Sequence, residues 1–543
     1  MESKTDLQQK QRRKAPKSRT GCPTCKIRRL KCDETRPHCQ RCIKFGVECD
    51  GYPPVLKRKS PRKREAPPHP AQQAQQATKV PSLGPTSLEK SPFANAEEHR
   101  YFDLFCARTG YEIFPAFDSG STRLRLLEFC GFNPAIRHAT VALGALDKTS
   151  ELVQDFEKLS LTSAEREAAA NEHHQNALQQ YAKAVKYMTA DAAEKHPDMR
   201  TMLLTCLLTL AFESWTGNLD LAVKQVHAGI RLIQEWKAKY KGQEEKKPPR
   251  LSPAPDLVED DLIQIFCRLA VQNAFFADEH SPELHSILGM EGSRYCRTMP
   301  DEFSSIYEAS NYYNGLIRRG VYFLTAHPGD LLKDPEICRW AIKEQEEIQA
   351  DVWRFNKAFE SVAKKIDCIW QRHYALFIQL SLSIGYIAVS TRLSTDEMIH
   401  DDYNPVYKRV VFLAESVLKE MPSRNKKRPT NFCFDTRVIV PLWMAGLKCR
   451  ERSIRRAAIN LLLSWPRREG IWDSVFAGRV LQWVMKVEEE FLEKGEEVVP
   501  GWARVPGVRW SGVLGERRAE LVTVQRVSKE GEERVRRSKT ITW

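Results

Sequence analysis

Six of the fifteen cysteines in this 543-residue chain lie within one short segment near the amino terminus. They are Cys22, Cys25, Cys32, Cys39, Cys42 and Cys49. The intervals between them are two, six, six, two and six residues, so the segment contains the same three-cysteine unit twice. Thiolates are soft ligands that favour zinc, and a gap of two residues lets both sulfur atoms reach one ion. The spacing therefore predicts a metal site.

The number of cysteines constrains how zinc would be held. Zinc takes four ligands, so two separate sites would need about eight thiolates. The six thiolates suffice for two zinc ions if one cysteine of each half bridges both ions. Cys22 and Cys39 occupy equivalent places and are the expected bridges, and the other two cysteines of each half would complete one ion. Disulfides, free thiols or a single zinc ion with two spare cysteines are the alternatives.

The elements that position these cysteines must be small. About thirty residues cannot bury a sufficient core, so metal binding must supply the folding energy. Residues 26–31 are expected to form a short helix, in which Ile27 and Leu30 share a face and pack on the cluster. The other four positions of this helix are cationic: Lys26, Arg28, Arg29 and Lys31. They would face away from the metal and contact a polyanion, or merely keep the domain soluble.

This segment resembles the zinc binuclear-cluster domain of fungal transcription factors. The matching stretches are Cys22–Asp33 and Pro37–Cys42, and Cys49 closes the pattern. In that family the first and fourth cysteines bridge two zinc ions. A proline joins the two halves, often through a cis peptide bond, and Pro37 corresponds to it.

The resemblance also implies how the segment would read double-stranded DNA. The family's helix enters the major groove and reads a CGG-type triplet, with the base-reading position at Arg29 and help from Arg28. The family often has lysine at the position of Arg29, whereas arginine can donate to guanine O6 and N7 together. Lys26 and Lys31 would contact phosphates, and Arg41 and Lys44 of the second half would contact the DNA backbone.

The distribution of charge supports a nucleic-acid partner. Residues 1–65 contain 20 Lys or Arg and 7 Asp or Glu, whereas the remaining residues contain 64 basic and 63 acidic side chains. A local positive field favours a polyanion, although a solvated basic tail would have the same composition. The basic runs on either side of the cysteines could act as nuclear localisation signals or extend the phosphate contacts.

Composition predicts five parts and a mainly α fold: a small zinc domain, a flexible linker and a large all-α regulatory domain. The parts are a disordered basic arm at 1–20, the zinc domain at 21–51, a basic then Pro/Gln-rich linker at 52–96, the all-α domain at 97–495 and a tail of unassigned structure at 496–543. Because the linker lacks apolar heptads, a coiled coil there is not expected. The protein would bind DNA as a monomer or as a homodimer through its helical body.

Periodic apolar residues predict the helices of the large domain. Their expected ranges are 134–145, 174–189, 199–215, 219–236, 257–278, 302–326, 335–364, 366–391, 404–420, 437–465 and 471–493. Residues 199–215 and 219–236 are expected to form a hairpin that turns at Gly217 and Asn218. Loops are expected at 241–255 and 422–430, and residues 521–527 alternate like a strand.

The large domain has a weaker resemblance to the regulatory domain of the same fungal regulators. The similar residues include Pro134, Arg137, His138, Phe212, Gly217, Pro441, Trp443 and Arg467–Asp473. The resemblance implies an all-α scaffold that would contact transcription machinery or co-regulators. Its apolar stretch Tyr374–Val389 contains polar residues and is interpreted as a buried helix, so no membrane association is expected.

The sequence disfavours an enzyme. It lacks a phosphate-binding glycine loop, an H-E-x-x-H zinc site and a G-x-S-x-G nucleophile turn. His173, His174, His280 and His285 have no zinc-ligand partners nearby in sequence and are interpreted as surface or helix-face residues. The expected function is nuclear, sequence-specific regulation of RNA polymerase II transcription. The alternative is a zinc-stabilised interaction subunit of a nuclear complex without its own sequence specificity.

Overall fold

Helices account for most of the described part of the chain, in agreement with the predicted mainly α fold. The computed structural model describes residues 22, 24–25, 30–45, 47, 49, 92–114, 121–154, 163–194, 198–240, 251–276, 282–325, 334–420, 432–435, 437–492, 498–512, 516–529, 531 and 533–543. The chain divides into two compact units, Met1–Leu88 and Glu89–Trp543. The predicted arm 1–20, the predicted linker up to residue 91 and the predicted loop 422–430 lie outside the described residues.

The first unit has one described helix of six residues, α1, and the second unit is built mainly from longer helices. The helices are α1 (Gln40–Phe45), α2 (Ala96–Leu104), α3 (Gly110–Ile113), α4 (Ser121–Phe132), α5 (Pro134–Gln154), α6 (Ser163–Glu194), α7 (Met199–Thr216), α8 (Leu219–Ala238), α9 (Asp260–Phe276), α10 (Pro282–Arg297), α11 (Ile306–Thr325), α12 (Pro335–Ala363), α13 (Ile369–Thr391), α14 (Asn404–Glu420), α15 (Ile439–Lys448), α16 (Arg452–Ser464) and α17 (Ser474–Glu489). A π-helical turn spans Phe105–Thr109, and 3-10 helices span Glu397–Tyr403 and Gly501–Ala503.

The hairpin of α7 and α8 forms where the sequence predicted it. Asp198 caps α7 by accepting a hydrogen bond from the Thr201 amide at 3.0 Å, which satisfies one of the unpaired donors at a helix start. Gly217 ends α7 with a left-handed φ of 87°, a conformation that glycine adopts without a steric penalty. The amide of Asn218 then donates to the Glu213 carbonyl at 2.9 Å.

The helices of the second unit share one apolar core. The neighbouring pairs α5 and α6, α7 and α8, and α10 and α11 pack along each other. Phe105, Phe266, Phe323 and Phe355 are fully buried in this core, and full burial of each such side chain contributes about 1.5–3 kcal/mol. The helix containing Gln371–Thr391 is long and apolar enough to cross a membrane, but more than half of that window is buried inside the unit. This burial matches the expectation of a core helix.

Two small sheets complete the second unit. The first contains β1 (Phe432–Cys433), β2 (Arg468–Glu469) and β3 (Trp472–Asp473), with β1 parallel and β3 antiparallel to β2. The second is antiparallel and contains β4 (Arg509–Ser511), β5 (Arg518–Arg526) and β6 (Arg534–Thr542).

The second sheet gives structure to the tail that the sequence left unassigned. The expected strand at 521–527 is observed as β5. Ala519, Leu521, Thr523 and Gln525 alternate along β5 with more exposed residues and are buried. The side-chain amide of Gln525 also donates to the carbonyl of Val487 in α17 at 3.1 Å. The tail is therefore attached to the helical core.

The helix predictions differ from the structure in several places. The single helix expected at 437–465 is two helices, α15 and α16, because the chain is extended at Cys449 and the Glu451 carboxylate caps α16 through the amide of Ile454 at 2.8 Å. The helix expected at 471–493 begins only at Ser474, after strand β3. Helices α4 and α10 were not predicted, since their apolar periodicity is interrupted by glycine and polar residues.

Candidate metal and nucleic-acid site

Six thiol groups converge in the first unit. Each of these cysteine side chains is buried, with an exposed fraction of 6% or less. Their sulfur atoms form two groups of four, and within each group all sulfur atoms lie within 4.8 Å of one another. One group is Cys22, Cys25, Cys32 and Cys39, and the other is Cys22, Cys39, Cys42 and Cys49. Cys22 and Cys39 therefore belong to both groups.

The backbone hydrogen bonds to sulfur repeat in the two halves, as the cysteine spacing does. The Cys25 amide donates to the Cys22 Sγ at 3.4 Å, and the Cys42 amide donates to the Cys39 Sγ at 3.3 Å. The amide of the first cysteine in each half donates to the Sγ of the third, at 3.5 and 3.4 Å. These N–H groups point at sulfur and stabilise negative charge on it. The two halves therefore make the same backbone hydrogen bonds to sulfur.

The sulfur separations suit tetrahedral zinc. With Zn–S bonds of about 2.3 Å, the sulfur atoms of a tetrahedron lie roughly 3.8 Å apart. Cys22 Sγ lies 3.7 Å from Cys39 Sγ, 3.8 Å from Cys32 Sγ and 3.9 Å from Cys42 Sγ, and Cys25 Sγ lies 3.6 Å from Cys39 Sγ. Every described cysteine is a free thiol, and a disulfide would bring two sulfur atoms to about 2.05 Å. The donor set therefore fits zinc and excludes the disulfide alternative.

Burial raises the pKa of the cluster thiols. It raises the pKa of Cys22 to about 12, and it raises the pKa of Cys25 and Cys39 as well. A bound cation would favour the thiolate form of these groups. Because zinc binds the thiolate, binding releases protons, and affinity falls as the pH falls.

Asp33 links the two halves, a role that the sequence did not reveal. Its carboxylate accepts hydrogen bonds from the amides of Gln40 at 3.1 Å and Arg41 at 2.8 Å, at the start of α1. It also accepts from the hydroxyl and the amide of Thr35. These hydrogen bonds, that from the Thr35 hydroxyl first, hold the pKa of Asp33 well below its usual range despite an opposing contribution from desolvation. Asp33 follows Cys32 directly, so it fixes α1 relative to the first half.

The loop between the halves contains the predicted proline. The Arg36–Pro37 peptide bond is cis, as the resemblance implied. The next residue, His38, places its Nδ1 3.1 Å from the Cys49 carbonyl oxygen. This contact joins the loop to the last cysteine, so both ends of the second half are held near each other.

The cationic residues predicted to contact DNA divide into two sets. Lys31, Arg41 and Lys44 are described, and all three are exposed while the neighbouring thiols are buried. Lys26, Arg28 and Arg29 lie outside the described residues. The described cations therefore face solvent, where a polyanion could reach them.

The helix predicted at 26–31 is only partly described. Thr24 and Cys25 are helical, residues 26–29 lie outside the described residues, and Leu30 and Lys31 are not helical. The Leu30 amide donates to the Cys25 carbonyl at 3.0 Å. The prediction that Leu30 packs on the cluster was wrong, because its side chain is 44% exposed. Among the described residues, Val47 is the hydrophobic residue that packs against the thiols.

Residues 20–59 match the family model described as the fungal Zn(2)-Cys(6) binuclear cluster domain. This segment is a zinc binuclear-cluster domain. Its six cysteines are the residues whose sulfur atoms converge, and the match covers the expected range of 21–51.

Similar curated proteins carry names of transcription regulators. The aspercryptin biosynthesis cluster-specific transcription regulator atnN of Emericella nidulans is 24% identical over 90% of this chain and 90% of its own. The transcription regulator lscL of Purpureocillium lilacinum is 24% identical over 39% of this chain and 48% of its own. The transcriptional regulatory protein moc3 of Schizosaccharomyces pombe is 57% identical over 7% of each chain. No solved structure matches this chain.

The zinc-cluster domain and these relatives define the protein's broad class. The chain is a zinc-binding, DNA-binding transcription regulator, and that class is not enzymatic. The similarity to moc3 covers about as many residues as the zinc-cluster domain itself, whereas the similarity to atnN extends over the helical unit as well.

Outside the zinc-cluster domain, the described residues contain no other cluster of metal-ligating side chains. His173 is used in packing, because its Nδ1 lies 2.6 Å from the hydroxyl of Tyr101. His280 and the side chain of His285 lie outside the described residues.

Proposed function

We propose that this protein binds two zinc ions through its six cluster cysteines and reads a CGG-type triplet in double-stranded DNA to regulate RNA polymerase II transcription. Cys22 and Cys39 bridge the two ions in this proposal. Cys25 and Cys32 complete the first ion, and Cys42 and Cys49 complete the second. Six thiolates and two divalent cations sum to a charge of about −2, which the surrounding basic residues offset.

One observation carries the proposal: two groups of four sulfur atoms share Cys22 and Cys39. Two four-ligand sites built from six thiols require two shared ligands, and the shared pair is the one expected from the repeat. The sulfur separations of 3.6 to 3.9 Å support tetrahedral coordination. The match to the zinc-cluster family supports the same ligand set.

Each cationic residue has a proposed role at the DNA. Arg29, assisted by Arg28, donates to guanine in the major groove, where arginine can bond O6 and N7 together. Lys26 and Lys31 bind phosphates, which fixes the register of the helix on the duplex. Arg41 and Lys44 of the second half bind the DNA backbone. The exposure of Lys31, Arg41 and Lys44 beside the buried thiols supports these assignments.

The rest of the chain is proposed to control when and with whom the protein acts. Residues 1–20 and 52–96 are a basic arm and a linker, residues 97–495 are the core of the regulatory domain, and residues 496–543 are its attached tail. The protein works in the nucleus with co-regulators or the transcription machinery as partners. The observation that supports one cooperative regulatory unit is the apolar core shared by the helices and the second sheet.

The deciding experiment is a random-site selection on double-stranded DNA with the zinc-loaded full chain. Enrichment of CGG-type triplets is the expected result. Arg29→Ala should cost about 1–3 kcal/mol at the guanines and flatten the site preference. Arg29→Lys, the residue often found in the family, should keep the preference with a smaller loss.

The same assay tests the proposed binding of the DNA backbone by Lys44, and the variant at this position is the matched control for Arg29→Ala. Lys44→Ala should weaken binding to all sequences equally and lower the salt slope by about 1. An unchanged preference in Arg29→Ala would disprove the role assigned to that residue. No enriched sequence for the wild type would instead favour a zinc-stabilised interaction subunit without its own sequence specificity.

A further inference from the structure

A cavity of about 180 Å³ lies inside the helical unit, far along the chain from the zinc-cluster domain. Its walls come from α9, α11, α12, α13, α15 and β3. Leu316, Ile348 and Leu382 are among the apolar residues that line it. An apolar cavity of roughly 150 Å³ can hold benzene. This space is therefore large enough for an aromatic ring with a substituent.

Two helical glycines leave the cavity open. Gly320 of α11 and Gly385 of α13 both line it. A Cβ added at Gly320 would find its nearest neighbour, Val389 Cγ2, at 3.9 Å, and one added at Gly385 would find Ile317 Cδ1 at 3.8 Å. No steric conflict requires glycine at either position. Because glycine destabilises the interior of a helix relative to alanine, these residues lower stability and leave space.

Other helical glycines in the same unit are explained by packing. At the crossing of α10 and α11, a Cβ on Gly292 would lie 2.5 Å from the Gly315 carbonyl oxygen. A Cβ on Gly144 would lie 2.1 Å from the Tyr101 carbonyl oxygen. Backbone atoms cannot move away cheaply, so glycine is necessary there. Gly320 and Gly385 differ from these positions because their missing side chains would enter the cavity.

The walls select against charge. No Asp, Glu, Lys, Arg or His occurs among the described residues that line the cavity. A charged ligand would lose its hydration without gaining a counter-charge, at a large cost in free energy. Among the polar wall residues, the Gln272 side-chain amide donates to the Phe434 carbonyl at 2.6 Å, and the buried Gln272 Oε1 is left as an uncharged acceptor without a hydrogen-bond partner. The wall residue Tyr386 is 36% exposed, which gives a route from solvent.

We propose that this cavity binds one small, uncharged and mainly apolar organic molecule, and that Gly320 and Gly385 keep the space open for it. The site is independent of the zinc and DNA chemistry, because every wall residue belongs to the helical unit. A bound molecule would contact α11, α12, α13 and α15 together. It would therefore stabilise the packing of these four helices against one another.

Titration calorimetry of the full chain with toluene, in parallel with benzoate, tests the ligand class. Toluene should bind with a stoichiometry near one and a negative change in heat capacity, which is the signature of apolar burial. Benzoate has a similar ring and carries a charge, so it should bind at least tenfold more weakly. Absence of saturable toluene binding, or equal binding of benzoate, would overturn the proposal.

Substitutions of glycine locate the site. Gly385→Leu places a side chain in the cavity and should weaken toluene binding at least tenfold. The matched control is Gly131→Leu, because Gly131 is an exposed helical glycine with no atom within 4 Å of an added Cβ. This control should bind toluene as the wild type does. Equal affinity in Gly385→Leu would place toluene elsewhere and overturn the proposal.

Substitution of these glycines by alanine distinguishes filling of the cavity from misfolding of the protein. Gly320→Ala and Gly385→Ala should each raise the melting temperature by roughly 1–2 °C, since each removes a helical glycine without a clash. Both should also weaken toluene binding relative to the wild type. A lower melting temperature in both would show that these glycines are required for packing, and the proposal would fail.

Discussion

The sulfur of Cys22 lies 3.7 Å from the sulfur of Cys39, which is seventeen residues further along the chain, and this pair belongs to both four-thiol groups. The two residues occupy the same place in the two halves, and each accepts a hydrogen bond from the amide three residues later. A ligand shared by two ions affects both sites when it is lost. The remaining cysteines each belong to one group, so the two kinds of position should respond differently to substitution.

The first prediction compares a bridging with a terminal ligand. Cys39→Ser should remove most of the bound zinc and abolish DNA binding, because each ion loses a ligand. Cys49→Ser should leave more zinc bound, because the other four-thiol group stays complete. Elemental analysis of the purified full chain measures the zinc content, with Cys368→Ser, an exposed cysteine outside the cluster, as the control. Equal zinc loss in both cluster variants would argue against bridging.

The second prediction concerns the link between the two halves. Asp33→Ala removes the acceptor for the amides of Gln40 and Arg41 at the start of α1. An unsatisfied helix start destabilises the fold, and in this unit folding and zinc binding are coupled. A chelator should therefore remove zinc from this variant at a lower concentration than from the wild type. Asp33→Asn keeps one of the two acceptor oxygens and should retain zinc better than Asp33→Ala but less well than the wild type, because Gln40 and Arg41 donate to different oxygens. Equal loss in both variants would contradict the capping role of the oxygen that asparagine keeps.

The third prediction concerns a fully buried ion pair in the second unit. Arg450 Nη2 lies 2.9 Å from Glu488 Oε1, and Arg455 Nη1 lies 2.7 Å from Glu488 Oε2. The Val505 amide also donates to Glu488 at 2.6 Å. Glu488→Gln should lower the free energy of unfolding by about 3–5 kcal/mol, because it leaves the buried Arg455 guanidinium without its carboxylate. Arg450 keeps its second carboxylate partner, Glu397, at 2.9 Å.

The matched variant for this pair is Arg450→Met. It should cost less than Glu488→Gln, because Arg455 still neutralises Glu488. The double variant should cost less than the sum of the two single variants, since the residues contact each other directly. Chemical denaturation of the zinc-loaded protein measures all three; strict additivity would show that the pair contributes no coupling energy.

The fourth prediction concerns pH. Burial, followed by the nearby Lys448, lowers the pKa of His400 from 6.5 to about 4, and the Nδ1 of this residue lies 3.1 Å from the Tyr407 hydroxyl. As the pH falls through about 6.5, this histidine is protonated in the unfolded chain but stays neutral in the folded chain. The free energy of unfolding therefore falls as the pH falls from about 6.5 to about 4.

Melting temperatures measured across this window test the effect of His400. His400→Gln should have a weaker dependence on pH between 6.5 and 4 than the wild type, because the titrating group is removed. His99→Gln, at a half-exposed side chain, is the control and should follow the wild type. A steep dependence that persists in His400→Gln would assign the effect to other groups.

The grouping of the thiols could be predicted because ligand number and cysteine spacing are local properties of the sequence. The role of Asp33 could not be predicted, because its oxygen atoms accept hydrogen bonds from amides seven and eight residues later. The loop between them takes its path only in the folded cluster. An acidic residue directly after Cys32 was the available signal. The amides that Asp33 caps lie further along the chain than the two or three residues that usually separate a capping side chain from its amides.

The same contrast holds for the helices. The range predicted for α14, 404–420, is the observed one, because its apolar period is regular. The break between α15 and α16 was missed because Leu447 and Ile454 lie seven residues apart, which is a helical spacing, on either side of the polar stretch 448–453. The chain there is extended at Cys449, and the next residue, Arg450, is buried. The cavity could not be predicted from the sequence either. A helical glycine can allow close packing or can leave a space, and which of the two occurs depends on atoms from other helices.

The buried contact between Arg450 and Glu488 also restricts how this sequence can diverge. Glu488 is shared with Arg455, so apolar replacement of Arg450 and Glu488 alone would leave the Arg455 guanidinium buried without its carboxylate. A lineage that exchanged these three residues one at a time would pass through destabilised proteins. The three positions are therefore expected to change together or not at all.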